Sequence, residues 1–202
     1  MLKKIKVALL KRWGTLSEKQ SIWDSEYDAG KWTYSKILPN NEATEPIYRF
    51  LEMFSSGGSI LDLGCGSGMT ALEMTNNFAE YVGVDVSQVA VEKARLALCN
   101  EPTRRRKVSF TVADIATYQP SARYKVILFR ESIYYVPQCQ IKDMLRRYST
   151  HLLPNGVFIV RLCDRYKYEY IAKLLMSRFG GQQVFVADDS AMSIFVCSAH
   201  KP

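Results

Sequence analysis

The chain has 202 residues, of which 48% are hydrophobic, so we expect one domain with a sizeable core. No apolar run approaches the roughly 18 residues that span a membrane, and lysines interrupt the N-terminus too often for a secretory signal peptide. Nine of the 27 basic residues lie in residues 1–13 and 104–107, and the remaining 18 nearly balance the 20 acidic residues, so the body of the protein is not basic.

The N-terminal segment is predicted to form a basic amphipathic helix. Its apolar residues recur at helical spacing, whereas its lysines and arginine lie mostly elsewhere; the apolar positions are Leu2, Ile5, Leu9 and Trp13. Such a helix either docks on an anionic membrane surface or a partner, or packs against its own domain. Residues 1–40 lack strand patterning, and we interpret them as a helical cap or lid over a core domain at 41–202.

Strands alternate with helices along the rest of the chain. Strands are predicted at 59–63, 80–85, 107–113, 124–130 and 156–163, and helices at 41–54, 68–77, 87–99, 137–150 and 165–178. Two final strands, at about 182–187 and 191–198, are joined too closely for a helical crossover and should pair antiparallel. The pattern predicts a Rossmann-like α/β fold, with a doubly wound, seven-stranded, mostly parallel sheet whose last strand is antiparallel.

A glycine-rich turn follows the first predicted strand, in the run Ile60-Leu-Asp-Leu-Gly-Cys-Gly-Ser-Gly68. Glycines at alternate positions allow a ligand to approach the main chain closely. A dinucleotide fingerprint would require glycine at position 69, where Met69 stands instead. The turn therefore predicts a nucleotide-like ligand other than a dinucleotide.

Carboxylates end the next two predicted strands. Asp85 lies 21 positions after Gly64, where an acid can accept hydrogen bonds from both ribose hydroxyls, and Asp114 ends the third strand. Asp62, before the glycines, completes the set. Each of these aspartates could instead have only a structural role, because aspartate also caps turns and helices.

The motif D-x-G-x-G-x-G and the acidic strand ends resemble those of class I S-adenosylmethionine-dependent methyltransferases. The resemblance spans about 47–197 and implies S-adenosylmethionine as the cofactor and methyl transfer as the activity. In that family, the position of Asp114 contacts the adenine amino group. The resemblance assigns cofactor binding to Asp62, Gly64, Cys65, Gly66, Gly68, Asp85, Val86, Asp114, Ile115 and Arg130.

The residues after the fourth strand, Glu131-Ser-Ile-Tyr134-Tyr135, are similar to a run in the branch of bacterial nodulation N-methyltransferases. There the resemblance implies that Glu131 serves as a base or orients the acceptor, with Tyr134 or Tyr135 as its hydrogen-bonding partner. Neighbouring tyrosines on a short helix face apart, so one should be buried and one exposed. Arg130 departs from the Asn or Asp that is frequent in relatives.

The N-terminal aromatic run also resembles an element of bacterial small-molecule and saccharide methyltransferases. The resemblance implies that Tyr27 and Trp32 close over the methionyl end of the cofactor, although the same rings could simply pack the lid to the sheet.

Two sequence features that the chain lacks restrict the classes of molecule that could accept the methyl group. The chain lacks the Asn/Asp-Pro-Pro-Tyr/Phe tetrapeptide with which base amino-methyltransferases hold a flipped base, and it has no acidic cluster for a divalent metal. We expect a small molecule, a sugar or a lipid-linked saccharide as acceptor, methylated at oxygen or nitrogen. An RNA or protein methyltransferase and a non-catalytic cofactor-binding module remain the alternatives.

Five cysteines, an odd number without any C-x-x-C pair, argue against a disulfide framework or a zinc site and fit a reducing compartment. We expect no metal and a cytoplasmic location, either free or peripheral to the inner face of the membrane. The basic run 104–107 should lie at the sheet edge opposite the cofactor, so we expect no nucleic-acid contact from it. The sequence leaves the acceptor, the methylated atom and the oligomeric state open.

Overall fold

A seven-stranded sheet forms the centre of the computed structural model, which describes residues 2–32, 46–187 and 191–198. Its strands lie in the order β3-β2-β1-β4-β5-β7-β6, and β7 alone runs antiparallel to the other six. The strands are β1 (Ser59–Leu63), β2 (Glu80–Asp85), β3 (Val108–Val112), β4 (Tyr124–Arg130), β5 (Leu152–Leu162), β6 (Gln182–Val186) and β7 (Ser193–Ser198). The predicted fold class is confirmed.

Eight α-helices surround this sheet in the described parts of the chain. They are α1 (Leu2–Trp13), α2 (Leu16–Asp28), α3 (Pro46–Ser55), α4 (Met69–Glu73), α5 (Gln88–Cys99), α6 (Pro102–Arg105), α7 (Gln138–Ser149) and α8 (Glu169–Arg178). The start of the helix predicted at 41–54 lies partly outside the described residues, since 33–45 are not described. Within 2–32, 46–187 and 191–198, no helix is long and apolar enough to cross a membrane.

The helix predicted at 68–77 is shorter in the structure, where α4 ends at Glu73. Met74 leaves the helix with an extended backbone (ψ 156°) and buries its side chain in the core. The predicted last turn of this helix is therefore absent, and Met74 packs in the core from an extended backbone.

Apolar side chains cover both faces of the sheet, as expected for a mostly parallel sheet. One face packs against α7 and α8 through Phe129, Tyr148 and Phe158, all fully buried. The other packs against α3 and α5 through residues that include Tyr81 and Leu128. The two layers hold the central strands rigidly, and their carboxyl ends therefore provide a fixed platform for a site.

Helices α1 and α2 contact the segments that follow β2 and β4, and residues 2–32 are called the lid below. A capping box starts α2: the Thr15 side chain accepts from the Glu18 amide, and the Glu18 carboxylate accepts from the Thr15 amide. Asp24 then accepts hydrogen bonds from Ser87 Oγ (2.6 Å) and from the Val89 amide (3.1 Å) at the start of α5. The lid is thus fixed over the carboxyl end of β2.

Candidate active site and cofactor pocket

The glycine-rich turn links β1 to α4 and is held from two sides. The amides of Gly64 and Cys65 both donate to the Val84 carbonyl in β2, at 2.7 and 3.1 Å. On the other side, a Cβ on Gly64 would overlap the Cβ of Ser132, whose hydroxyl donates to the Leu63 carbonyl. Gly64 has φ +89°, a conformation that glycine adopts without strain. The turn is therefore shaped by close contact with the segment that follows β4.

Asp85 organises the same turn from the end of β2. Its Oδ2 accepts from the Gly66 amide and its Oδ1 from the Ser87 amide, each at 2.9 Å. Burial raises the pKa of this carboxyl, whereas these backbone hydrogen bonds oppose the rise. Asp85 also borders a cavity, so one carboxylate both fixes the loop and faces the space beside it.

Asp62 lies beneath the turn and does not line the cavity. It is buried and accepts a hydrogen bond from the Tyr81 hydroxyl. Burial raises the pKa of Asp62 to about 6, from an ordinary value of 3.8; the Tyr81 hydrogen bond and the Arg130 charge partly oppose the rise.

This pKa predicts a pH-dependent stability. Because the folded-state pKa lies above the unfolded value, the folded state binds more protons, and Asp62 stabilises most below about pH 4 and loses that contribution as pH rises through about 6. Asp62→Asn should remove this pH-dependent contribution to stability. Between pH 4 and 7, the free energy of unfolding of the wild type should therefore fall by about 2–3 kcal/mol relative to that of the variant. Urea titrations of both proteins at each pH measure it; parallel pH profiles would contradict it.

Asp114 follows β3 and is engaged by the lid. Its Oδ1 accepts from the Ala116 amide at 2.9 Å, and its Oδ2 pairs with the Lys19 ammonium at 2.6 Å. Lys19 is itself buried, with 8% of its surface exposed. The carboxylate assigned to adenine by resemblance thus lies at the cavity edge and is paired with a lid cation.

The segment after β4 carries an unusual backbone at Glu131, with φ +60°. Its carboxylate accepts from Arg161 at 2.7 Å on one oxygen and from the Tyr134 hydroxyl at 2.6 Å on the other. A non-glycine residue in this conformation requires surroundings that impose it, and such residues cluster at functional sites. Arg161 and Tyr134 supply part of that constraint.

The two neighbouring tyrosines differ in their surroundings. Tyr134 is 5% exposed and stacks on Tyr168 with centroids 4.1 Å apart, whereas Tyr135 is only partly buried and lines the cavity. Burial raises the pKa of both hydroxyls, above all that of Tyr134, where the Glu131 charge adds to the effect. Tyr134 therefore holds Glu131, and Tyr135 faces the ligand space.

Aromatic rings from the lid close the cavity. Trp23 lies edge-on to Tyr135 at 4.7 Å and next to Trp32 at 5.4 Å. The Lys11 ammonium sits 3.8 Å from the Trp23 ring centroid and pairs with Glu26 at 2.6 Å. Rings arranged in this way attract a cation, here Lys11.

The cavity measures about 140 Å³. It brings together most of the residues predicted for the site: Tyr27, Trp32, Gly64, Asp85, Val86, Asp114, Ile115, Arg130, Glu131 and Tyr135. The predicted residues that do not line it support it from behind: Asp62, Cys65, Gly66, Gly68 and Tyr134.

The sequence interpretation missed five lining residues, namely Lys11, Lys19, Trp23, Ser132 and Val136. Trp23 belongs to the aromatic run that supplied Tyr27 and Trp32, and this membership was the available signal. The two lysines occur in charged helices, where no spacing separates a lining lysine from a solvated one. Only their position in the fold identifies them.

These residues fit S-adenosylmethionine. The Tyr27 hydroxyl packs directly on the turn, 2.6 Å from where a Cβ on Gly66 would lie. Asp85 and Asp114 offer carboxylates that would hold the ribose hydroxyls and the adenine amine, and the lid rings would face the sulfonium.

Known proteins give the same assignment. The ubiquinone biosynthesis O-methyltransferase of Vibrio atlanticus is 33% identical over 112 residues, covering 55% of this chain and 46% of that protein. The (S)-coclaurine N-methyltransferase of Papaver somniferum is 30% identical over 129 residues, covering 61% and 36%. The chain spans about half or less of the length of these curated relatives.

Among solved structures, the N-methyltransferase NodS from Bradyrhizobium japonicum WM9, in complex with S-adenosyl-L-homocysteine, superposes with a TM-score of 0.61 at 16% identity. The match covers 78% of this chain and 87% of that one, and it supports the fold.

A family model described as a methyltransferase domain matches residues 36–188, which is most of the chain. The predicted class of enzyme and its cofactor, S-adenosylmethionine, are thereby confirmed. The chain belongs to the methyltransferase domain family.

Proposed function

We propose that the protein transfers the methyl group of S-adenosylmethionine to an oxygen or nitrogen of a small molecule or of a saccharide, free or lipid-linked. One observation carries the proposal: the lid covers a cavity that is bordered by Asp85, Asp114 and Glu131. The first two acids are suited to the cofactor, and the third is left for the acceptor. The cavity thus has a cofactor end and an acceptor end.

Bound S-adenosylmethionine would supply a methyl carbon on a sulfonium, ready for in-line displacement. The chain itself orients the acceptor and excludes water, and orientation of this kind is worth roughly 7–11 kcal/mol of the barrier. Trp23, Trp32 and Tyr135 form the water-excluding wall, because their rings pack against one another at the mouth of the cavity.

Glu131 is the group best placed to act on the acceptor. Arg161 and the Tyr134 hydroxyl fix its orientation, while the residue itself borders the cavity. The carboxylate can accept a hydrogen bond from the acceptor's O–H or N–H and take its proton as the methyl group arrives. This role agrees with the imposed backbone conformation at this residue.

Glu131→Gln should lower kcat about 100-fold or more while leaving the affinity for S-adenosylmethionine within about threefold, because general-base contributions are typically 10²–10⁴-fold. Steady-state kinetics with the identified acceptor, together with calorimetric titration of the cofactor, separates the two quantities. Glu169→Gln is the matched control, since that carboxylate lies on the exposed side of α8. An unchanged kcat would remove Glu131 from the reaction.

Two features favour a small acceptor over RNA or protein. The aromatic wall leaves a narrow cavity, and the basic run 104–107 lies elsewhere: Arg104 donates to the Ala71 carbonyl, and the Lys107 carbonyl accepts from the Tyr81 amide at the start of β2. The run is therefore at the amino ends of the strands, opposite the cavity. The relatives whose names give O- and N-methyltransferase activities leave both acceptor atoms open.

The proposal is tested with methyl-labelled S-adenosylmethionine and fractionated extract of the producing cells, with Asp85→Asn as the blank. Label in the small-molecule, saccharide or glycolipid fraction is the expected result. Label confined to nuclease-sensitive or protein fractions would replace the proposal with a macromolecular acceptor. Cofactor binding without label in any fraction would contradict it and favour a non-catalytic module.

A further inference from the structure

Helix α1 exposes a stripe of large apolar side chains. Ile5, Leu9 and Trp13 follow one another at intervals of four residues and are 49%, 55% and 58% exposed. Leu16, at the start of α2, is 54% exposed. Residues four apart lie on the same side of a helix, so Ile5, Leu9 and Trp13 form one surface, here called the apolar stripe.

The opposite side of the same helix reaches the cavity. Lys11 is two positions from Leu9, about 200° around the helix, and its ammonium pairs with Glu26 beside Trp23. Arg12, about 60° around the helix from Leu9 and so at the edge of the stripe, donates to the Tyr134 carbonyl at 2.8 Å and ties the helix to the core domain. The sequence left two alternatives for this helix, packing on its own domain or docking on another surface. In the structure, Lys11 packs on the protein's own domain, and the apolar stripe is exposed.

The charges around the apolar stripe indicate what covers it. Lys4 and Lys6 are exposed, and α1 contains no acidic residue. Lys6 lies about 60° around the helix from Leu9, at the border of the apolar stripe, whereas Lys4 lies on the Lys11 side. A lysine at the border of an apolar stripe matches an anionic lipid surface, because the rings and aliphatic chains enter the interface while the ammonium group stays at headgroup level. A second copy fits less well, since a twofold contact would bring the same lysines together.

We propose that the apolar stripe docks the protein on an anionic membrane surface. Docking through this stripe places the cavity beside the bilayer, because Lys11 of the same helix lines the cavity. The next step rests on the proposed function: the acceptor is presented to the cavity at the membrane surface.

Co-sedimentation of the full chain with vesicles of phosphatidylcholine and phosphatidylglycerol tests the proposal without any methyl donor. The wild type should pellet with these vesicles and remain in solution with pure phosphatidylcholine. Leu9→Glu should lower vesicle binding about tenfold or more, since it places a charge in the part of the apolar stripe that enters the membrane interface. Leu96→Glu is the matched control: that leucine is 69% exposed on α5, outside the lid, and its variant should bind as the wild type does.

A double variant, Lys4→Gln with Lys6→Gln, should weaken binding to the anionic vesicles severalfold and bring it close to that for phosphatidylcholine alone. Thermal melts of all variants establish that they are folded. Absence of wild-type binding, or equal loss in Leu9→Glu and Leu96→Glu, would overturn the proposal. So would a dimer in solution that Leu9→Glu dissociates, with no vesicle binding. Because the assay measures vesicle binding without a methyl donor, its result does not depend on whether the protein transfers methyl groups.

Discussion

Gly64→Ala should abolish measurable binding of S-adenosylmethionine and lower the free energy of unfolding by about 2–4 kcal/mol. The residue combines φ +89° with a position at which any Cβ overlaps Ser132. Ser132 cannot yield freely, because its hydroxyl is bonded to the Leu63 carbonyl. The turn or the segment after β4 must therefore move, and both border the cavity.

Gly57→Ala separates the clash from the backbone strain. Gly57 has φ +75°, yet a Cβ there would meet nothing within 4 Å. This control should cost only about 1 kcal/mol and leave cofactor affinity unchanged. Calorimetric titration and urea unfolding of the two variants give the comparison. Equal effects in both would mean that strain alone, and not the fit of the turn against Ser132, controls the site.

Asp85→Asn should weaken the affinity for S-adenosylmethionine at least about 100-fold, since charge-assisted hydrogen bonds contribute about 1.5–3 kcal/mol each. The side chain keeps its shape but loses its charge, and one of its two backbone donors, the amides of Gly66 and Ser87, then faces an NH₂ group. The variant therefore loses both a ribose acceptor and part of the anchor of the turn.

Asp143→Asn is the matched control for charge, because Asp143 lies on α7 with 79% of its side chain exposed. Its affinity for the cofactor should equal that of the wild type. Titration of the two variants with S-adenosylmethionine, after melts that establish folding, measures the difference. Retention of wild-type affinity in Asp85→Asn would remove this residue from the cofactor site.

The strand ends were predictable because they depend on local sequence. Apolar runs define β1, β2 and β4 with the predicted bounds; glycines flank β1, and β2 ends at Asp85. Parallel connections then bring Asp85 and Asp114 to one edge of the sheet without any further information. The short α4 was not predictable in the same way, because burial of Met74 in the core ends it.

The lid contacts depend on tertiary structure and could not be read from the sequence. Nothing near Lys19 in the sequence indicates that it reaches Asp114, 95 positions away. The Lys11 ammonium beside Trp23 is likewise a product of how α1 packs on α2. The constraint on Glu131 was hidden for the same reason, since Arg161 comes from the end of β5.

A crystal structure of the complex with S-adenosylhomocysteine tests most directly whether the cavity beneath the lid is the cofactor site. We expect the ribose hydroxyls within hydrogen-bonding distance of Asp85, the adenine amine beside Asp114, and the sulfur facing the lid rings and Glu131. Density for the ligand outside this cavity, or bound without contact to Asp85, would contradict the account.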